Sequence, residues 1–109
     1  AAANYERNLA GLVGLLRAAL RNDNLPVVIG RIVDSGSTSS ARIMTYSPEV
    51  REAQQRFVQG DPCAAIVTVT EDFQFLPDGW HYRSEDYIRL GSAFADAVLQ
   101  LEQRCRPAR

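Results

Sequence analysis

Residues 26–33 read PVVIGRIV and residues 64–70 read AAIVTVT, and these two stretches decide the fold. Each is a short run of mostly β-branched residues without polar alternation. Such a run is typical of a strand covered on both faces, as in a parallel sheet. We therefore predict two parallel strands, at residues 27–33 and 64–70.

Helical patterns surround both strands. Apolar residues recur every three or four positions over residues 5–20 and 84–101, and a shorter helix is predicted from Ser47 to a stop at Gly60. The order α-β-α-β-α, with a right-handed crossover, predicts a three-layer α/β/α domain with a parallel, flavodoxin-like sheet. We expect residues 1–109 to form one unit.

Gly11 and Gly14 lie inside the first helix, where each glycine costs about 1 kcal/mol relative to alanine. Close approach of a neighbouring element would compensate for this cost.

Two strands are too few to form a stable sheet alone, and covered strands need neighbours. We therefore expect a missing N-terminal half or a partner chain to complete the sheet. The chain also begins AAANYERN without an initiator Met, which favours removal or omission of a preceding segment.

The charge composition argues against several classes of partner. The formal net charge is −1, the pI is about 5.8, and the twelve basic residues, all Arg, are scattered along the chain. Nucleic acid is therefore not an expected partner, and no apolar run is long enough for a membrane span. The compartment stays open, and a bacterial secreted or periplasmic location is compatible with the sequence.

The candidate site lies in residues 75–91, FLPDGWHYRSEDYIRLG, after the second strand. This is where ligands bind in open α/β sheets. His81 is the only histidine, and a tight Pro-Asp-Gly-Trp turn would bring Asp78 to its ring, with Trp80 and Tyr82 as pocket walls. Such a carboxylate fixes the imidazole tautomer for general-base catalysis. The alternative is a surface histidine beside a turn-capping aspartate.

Other acids and cysteines leave further alternatives. Glu71 or Asp72, otherwise solvated loop acids, could replace Asp78 in holding His81. Cys63 and Cys105 are placed at the same side of the sheet, so a disulfide is geometrically allowed, although free cysteines commonly serve as small core residues. One histidine and two distant cysteines do not supply a zinc site, and no cofactor is expected.

The segment Leu76-Pro-Asp-Gly-Trp-His-Tyr, followed by a polar cap, a helix and Leu90-Gly91, resembles the last block of the SGNH hydrolases. The resemblance is to the sialate O-acetylesterase and acetylxylan esterase branch of carbohydrate esterases. It extends to residues 4–32, NYERNLAGLVGLLRAALRNDNLPVVIGRI, and to VREAQQRF at residues 50–57. The chain thus resembles the C-terminal half of such a domain.

The resemblance implies a metal-free serine esterase that removes acetyl groups from carbohydrates. In it His81 would be the general base and Asp78 the acid that orients it. The Gly-x-Ser nucleophile block and the oxyanion-hole blocks of the family have no counterpart in the sequence. The hydroxyls nearest to such a role belong to an irregular run without a strained elbow: Ser35, Ser37, Ser39 and Ser40.

Two hypotheses follow. The first is a carbohydrate O-acetylesterase whose histidine half is this chain, which by itself would be inactive. The second is a non-catalytic α/β module that binds a partner through an open sheet edge. The second hypothesis expects His81 and Asp78 to lie more than about 6 Å apart, without a shared cleft.

Overall fold

A computed structural model describes residues 1–36 and 41–106. The helices are α1 (Tyr5–Ala19), α2 (Ser47–Gln59) and α3 (Ser84–Arg104), and the strands are β1 (Val27–Gly30) and β2 (Ala64–Val67). The predicted order α-β-α-β-α is confirmed. Within the described ranges no helix has both the length and the apolar character needed to cross a bilayer.

The two strands pair in parallel, with Val27 opposite Ala64 and Gly30 opposite Val67. Both are shorter than predicted. The last ladder hydrogen bond runs from the Arg31 N–H to the Val67 carbonyl at 2.9 Å. The next N–H, that of Ile32, lies on the opposite edge of β1 and donates to the Gln54 side-chain oxygen at 3.0 Å. On the other strand the chain turns after Val67 into a 3-10 turn at Val69–Asp72.

Helices cover both faces of this small sheet. On one face α1 and α2 enclose a core of Val13, Phe57 and Ala64, against which Val27 and Ile29 pack. On the other face α3 contacts both strands. Its Phe94 ring lies 3.1 Å from where a Cβ on Gly30 would stand, so a larger residue there would have to displace the ring by a few tenths of an ångström.

The cover is incomplete at the outer surfaces. The four residues of β1 are only partly buried, in contrast to the predicted strand enclosed on both faces. On α1 Leu15 is 72% exposed, and on α3 Ile88 is 75% exposed. The described residues form a sheet of only two strands. Such a sheet is too narrow to bury the full apolar surface of the helices that pack on it, and the remaining apolar side chains are exposed.

The expected close neighbour of Gly11 and Gly14 is absent. A Cβ added at either position would meet no described atom within 4 Å. Both glycines therefore face open space, and the compensation that we expected for their helical cost does not exist within the described chain.

Neither serine at a helix start serves as a cap, although serine is a favoured capping residue. Ser47 and Ser84 are the first helical residues, preceded by Tyr46 and Arg83, and neither helix has a side-chain capping hydrogen bond. The Ser47 hydroxyl instead lies 3.5 Å from a carboxylate oxygen of Asp34, which explains its departure from a capping role.

The two cysteines form a disulfide. Cys63 precedes β2 and Cys105 follows α3, and their Cα atoms are 5.7 Å apart. Both residues are buried. The bond therefore fastens the end of α3 to the start of β2 and closes a loop of 42 residues that contains the candidate site.

Candidate active site

A short hairpin presents the candidate site. Phe75 and Tyr82 form an antiparallel bridge, and the Leu76 N–H donates to the His81 carbonyl at 2.7 Å. Between them the Gly79 N–H donates to the Leu76 carbonyl at 2.9 Å and closes a tight turn. Gly79 adopts φ +76°, a left-handed conformation that favours glycine. We call residues 75–82 the dyad hairpin.

The turn brings Asp78 and His81 together. One Asp78 oxygen, Oδ1, accepts the backbone N–H groups of Trp80 and His81 at 2.9 and 3.1 Å. The other oxygen, Oδ2, lies 2.5 Å from His81 Nδ1. An ionised carboxylate can only accept a hydrogen bond, so Nδ1 carries a proton. In the neutral imidazole Nε2 then has the free lone pair.

The charge of Asp78 is stabilised locally. Its hydrogen bond with the His81 ring, aided by the N–H groups of Trp80 and His81, lowers the pKa of Asp78 to about 2. Asp78 is therefore ionised at neutral pH. The His81 side chain is 66% exposed, and no described side chain hydrogen-bonds to its Nε2, so this nitrogen is accessible to another group.

A second loop packs against the turn. Ile43 Cδ1 lies 2.6 Å, and Ser35 Oγ 3.3 Å, from where a Cβ on Gly79 would stand. The loop that follows β1 therefore contacts the loop that follows β2. These are the two loops at the carboxyl ends of the strands, where the fold predicts the site.

Asp34 organises this second loop. Its carboxylate accepts backbone N–H groups from Gly36, Ile43 and Met44, at 2.8, 3.1 and 2.6 Å. Burial alone would raise the pKa of Asp34, but these donors and the Ser47 hydroxyl outweigh it and lower the pKa. Asp34 thereby holds Ile43 against the turn that carries the dyad.

Of the four candidate serines, the structure describes Ser35. Its hydroxyl stands beside Gly79 without a hydrogen bond to the His81 ring. The remaining three, Ser37, Ser39 and Ser40, lie outside the described residues.

The two aromatic residues proposed as pocket walls take different positions. Trp80 is largely exposed at the turn. Tyr82 instead packs beneath the hairpin, with its ring centroid 5.1 Å from those of Phe73 and Phe75 and 5.5 Å from that of Tyr87. Tyr82 lies on the second strand of the hairpin, and its ring points toward Tyr87 of α3, so it supports the hairpin on the side that faces the helix.

Glu71 is exposed, as expected of a solvated loop acid, but it also pairs with two arginines. Its Oε1 lies 3.1 Å from Arg31 and 2.7 Å from Arg51. The hydrogen bonds from Arg31 and Arg51 lower the pKa of Glu71. Asp78, and neither Glu71 nor Asp72, is the carboxylate that contacts His81.

The described ranges contain no candidate metal-binding site. No group of three or more His, Cys, Asp or Glu side chains there is placed to bind a metal ion.

Sequence reasoning missed two supporting aspartates. Asp34 follows the first predicted strand, and nothing local signals its hydrogen bonds with the N–H groups of Ile43 and Met44. Asp86 is buried in the first turn of α3 between Arg83 and Arg89. Its signal was the spacing, since residues three apart on a helix are neighbours.

Neither the curated proteins nor the solved structures gave a match. A family model described as "Carbohydrate esterase, sialic acid-specific acetylesterase" matches residues 1–100, which is most of the chain. The resemblance of the site segment and its flanking helices is thereby confirmed, and the chain belongs to the sialic acid-specific acetylesterase family of carbohydrate esterases.

Proposed function

We propose that this chain supplies the histidine and the acid of a Ser-His-Asp carbohydrate O-acetylesterase. The observation that carries the proposal is the 2.5 Å contact between Asp78 Oδ2 and His81 Nδ1 on an exposed hairpin. A binding module without catalytic ancestry has no need of this pairing, and our second hypothesis expected the two side chains to lie apart.

The mechanism uses both ends of the imidazole. A serine hydroxyl attacks the acetyl carbonyl while His81 Nε2 accepts its proton, and the same proton passes to the departing sugar hydroxyl. Water then attacks the acetyl-serine, with His81 again as the base, and releases acetate. Asp78 holds the ring by its Nδ1–H and stabilises the imidazolium formed in each half-reaction.

The nucleophile comes from outside the described residues. Ser35, the described serine next to the hairpin, makes no hydrogen bond with His81. Among the described residues no further strand pairs with either outer edge of the sheet, and apolar side chains on α1 and α3 are exposed. These features support the proposal that this chain is one part of a larger SGNH-type domain. A further segment or a partner chain would extend the sheet and supply the serine.

Complementation tests the proposal. The serine-bearing half of a complete family member is joined to this chain, and hydrolysis of 9-O-acetylated sialic acid is compared with hydrolysis of acetylated xylan. We expect acetate release that His81→Ala abolishes and Asp78→Asn lowers by about 10⁴-fold. An active complemented domain that keeps its rate in both variants would refute the assignment.

The chain alone supplies the matched control. Incubated with p-nitrophenyl acetate and a serine-directed fluorophosphonate, it should show neither labelling nor turnover above that of His81→Ala. Covalent labelling of Ser35 with robust turnover would contradict the proposal that the nucleophilic serine comes from outside the described residues.

A further inference from the structure

A buried carboxylate stands beneath the dyad hairpin, in a position that the proposed mechanism does not use. Asp86 belongs to the first turn of α3 and is 1% exposed. A carboxylate in such a place must be hydrogen-bonded and paired, because an isolated buried charge is strongly unfavourable.

Three donors satisfy Asp86. Its Oδ2 accepts the Gln74 backbone N–H at 3.3 Å and Arg83 Nε at 3.4 Å, and its Oδ1 accepts Arg89 Nη1 at 3.3 Å. Burial alone would raise the pKa of Asp86, but these donors outweigh it and lower the pKa. Asp86 is therefore an anion that these three groups hold in place.

Two of the donors flank the hairpin. Gln74 directly precedes Phe75, where the dyad hairpin begins, and Arg83 directly follows Tyr82, where it ends. A single carboxylate oxygen thus binds both ends of the hairpin and fixes them to α3. The third donor, Arg89, also lies over the Phe73 ring, 5.2 Å from its centroid. Arg89 therefore links the ionic contacts of Asp86 to the aromatic packing of Phe73 beneath Tyr82.

We infer that Asp86 is the positioning residue that clamps the dyad hairpin to α3 and so fixes where the His81 ring is presented. Asp86 acts on the ends of the hairpin, whereas Asp78 acts on the ring itself. The catalytic consequence rests on the proposed function, but the clamp exists independently of any serine or substrate.

The test replaces Asp86 with asparagine, which keeps the shape and removes the charge. The readout is amide hydrogen exchange at Leu76, whose N–H donates to the His81 carbonyl. We expect exchange at Leu76 to accelerate by at least about tenfold, as loss of hydrogen bonds to a charged group implies. Exchange at Arg31, whose N–H donates to Val67 in the sheet, should stay within about twofold of wild type.

A spectroscopic signature separates positioning from general stability. His81 is the sole histidine, so its two ring nitrogens give unambiguous ¹⁵N signals. In the wild type these should report the Nδ1–H tautomer, and in Asp86→Asn they should move toward a mixture. Glu85→Gln, an exposed neighbour in the same helical turn, is the matched control and should change neither readout.

Unchanged Leu76 exchange and unchanged His81 signals in folded Asp86→Asn would overturn the inference. If that variant does not fold, Arg83→Met removes one half of the clamp from a partly exposed side chain and decides the question by the same readouts. In the complemented domain we expect Asp86→Asn to have a lower kcat than the wild type and an unchanged KM. An inactive complemented domain would refute the proposed function and leave the clamp measurements unaffected.

Discussion

The disulfide should supply a large share of the chain's stability. Cys63 and Cys105 are separated by 42 positions in the sequence, and loop-closure entropy for that length corresponds to about 4 kcal/mol at 25 °C. Domains of this size are stable by about 5–15 kcal/mol in total. Reduction should therefore leave a marginal or unfolded chain.

Urea unfolding, followed by helical circular dichroism and by the fluorescence of the sole tryptophan, measures this contribution. With a slope of about 2 kcal/mol/M, reduction should lower the midpoint by roughly 2 M. Cys63→Ala/Cys105→Ala should unfold slightly below the midpoint of the reduced protein and be insensitive to reductant. Both cysteines are buried, so the double variant also loses a small packing contribution.

Two results would refute this reasoning. One is a free energy of unfolding that differs by less than about 1 kcal/mol between the oxidised and reduced protein, since loop closure alone predicts several times more. The other is a titre of two free thiols in protein produced under oxidising conditions, because the structure places both sulfurs in one bond.

Three further predictions concern the site and its support. Gly79→Ala should lower the free energy of unfolding by at least about 1–2 kcal/mol in urea titration, because φ is +76° and Ile43 occupies the Cβ position, and Ile43→Ala should recover part of this loss. The lowered pKa of Asp78 contributes stability that is present above about pH 4 and is lost as pH falls toward 2, so unfolding curves should show a smaller acid loss for Asp78→Asn. Arg17→Met should cost about 2 kcal/mol by thermal unfolding, because it leaves the half-buried Asp61 carboxylate without its 2.6 Å partner.

Matched variants control these measurements. Gly91→Ala meets no described atom within 4 Å and lies inside α3, so it should be neutral or stabilising where Gly79→Ala is not. Arg56→Met removes an exposed pair with Glu6 and should change stability by less than about 1 kcal/mol. If Arg56→Met loses as much stability as Arg17→Met, burial does not determine the strength of these ion pairs. If the wild type and Asp78→Asn lose equal stability as pH falls, the pH argument is wrong.

The contact between Asp78 and His81 could be predicted from the sequence because it is local. Three residues separate the two side chains, and Pro77 and Gly79 favour the turn that closes between them. The geometry of this pair depends on backbone conformations that neighbouring residues specify. The alternation of helices and strands was predictable for the same reason, since side-chain periodicity follows the geometry of each element.

Tertiary structure alone decided what surrounds the pair. Ile43 meets Gly79 and Arg17 meets Asp61 across more than thirty residues of chain, and no local pattern encodes such contacts. The order of elements allowed Cys63 and Cys105 to pair, but only the structure decided between a disulfide and two free thiols.

The strand ends likewise depended on tertiary structure, because the ladder stops at the hydrogen bond from Arg31 to Val67, where the chain after β2 turns away. By itself the sequence determined which elements form and that an acid lies within reach of the histidine. Only the folded chain determined how long the strands run and what holds the hairpin in place, because these depend on groups brought together by packing.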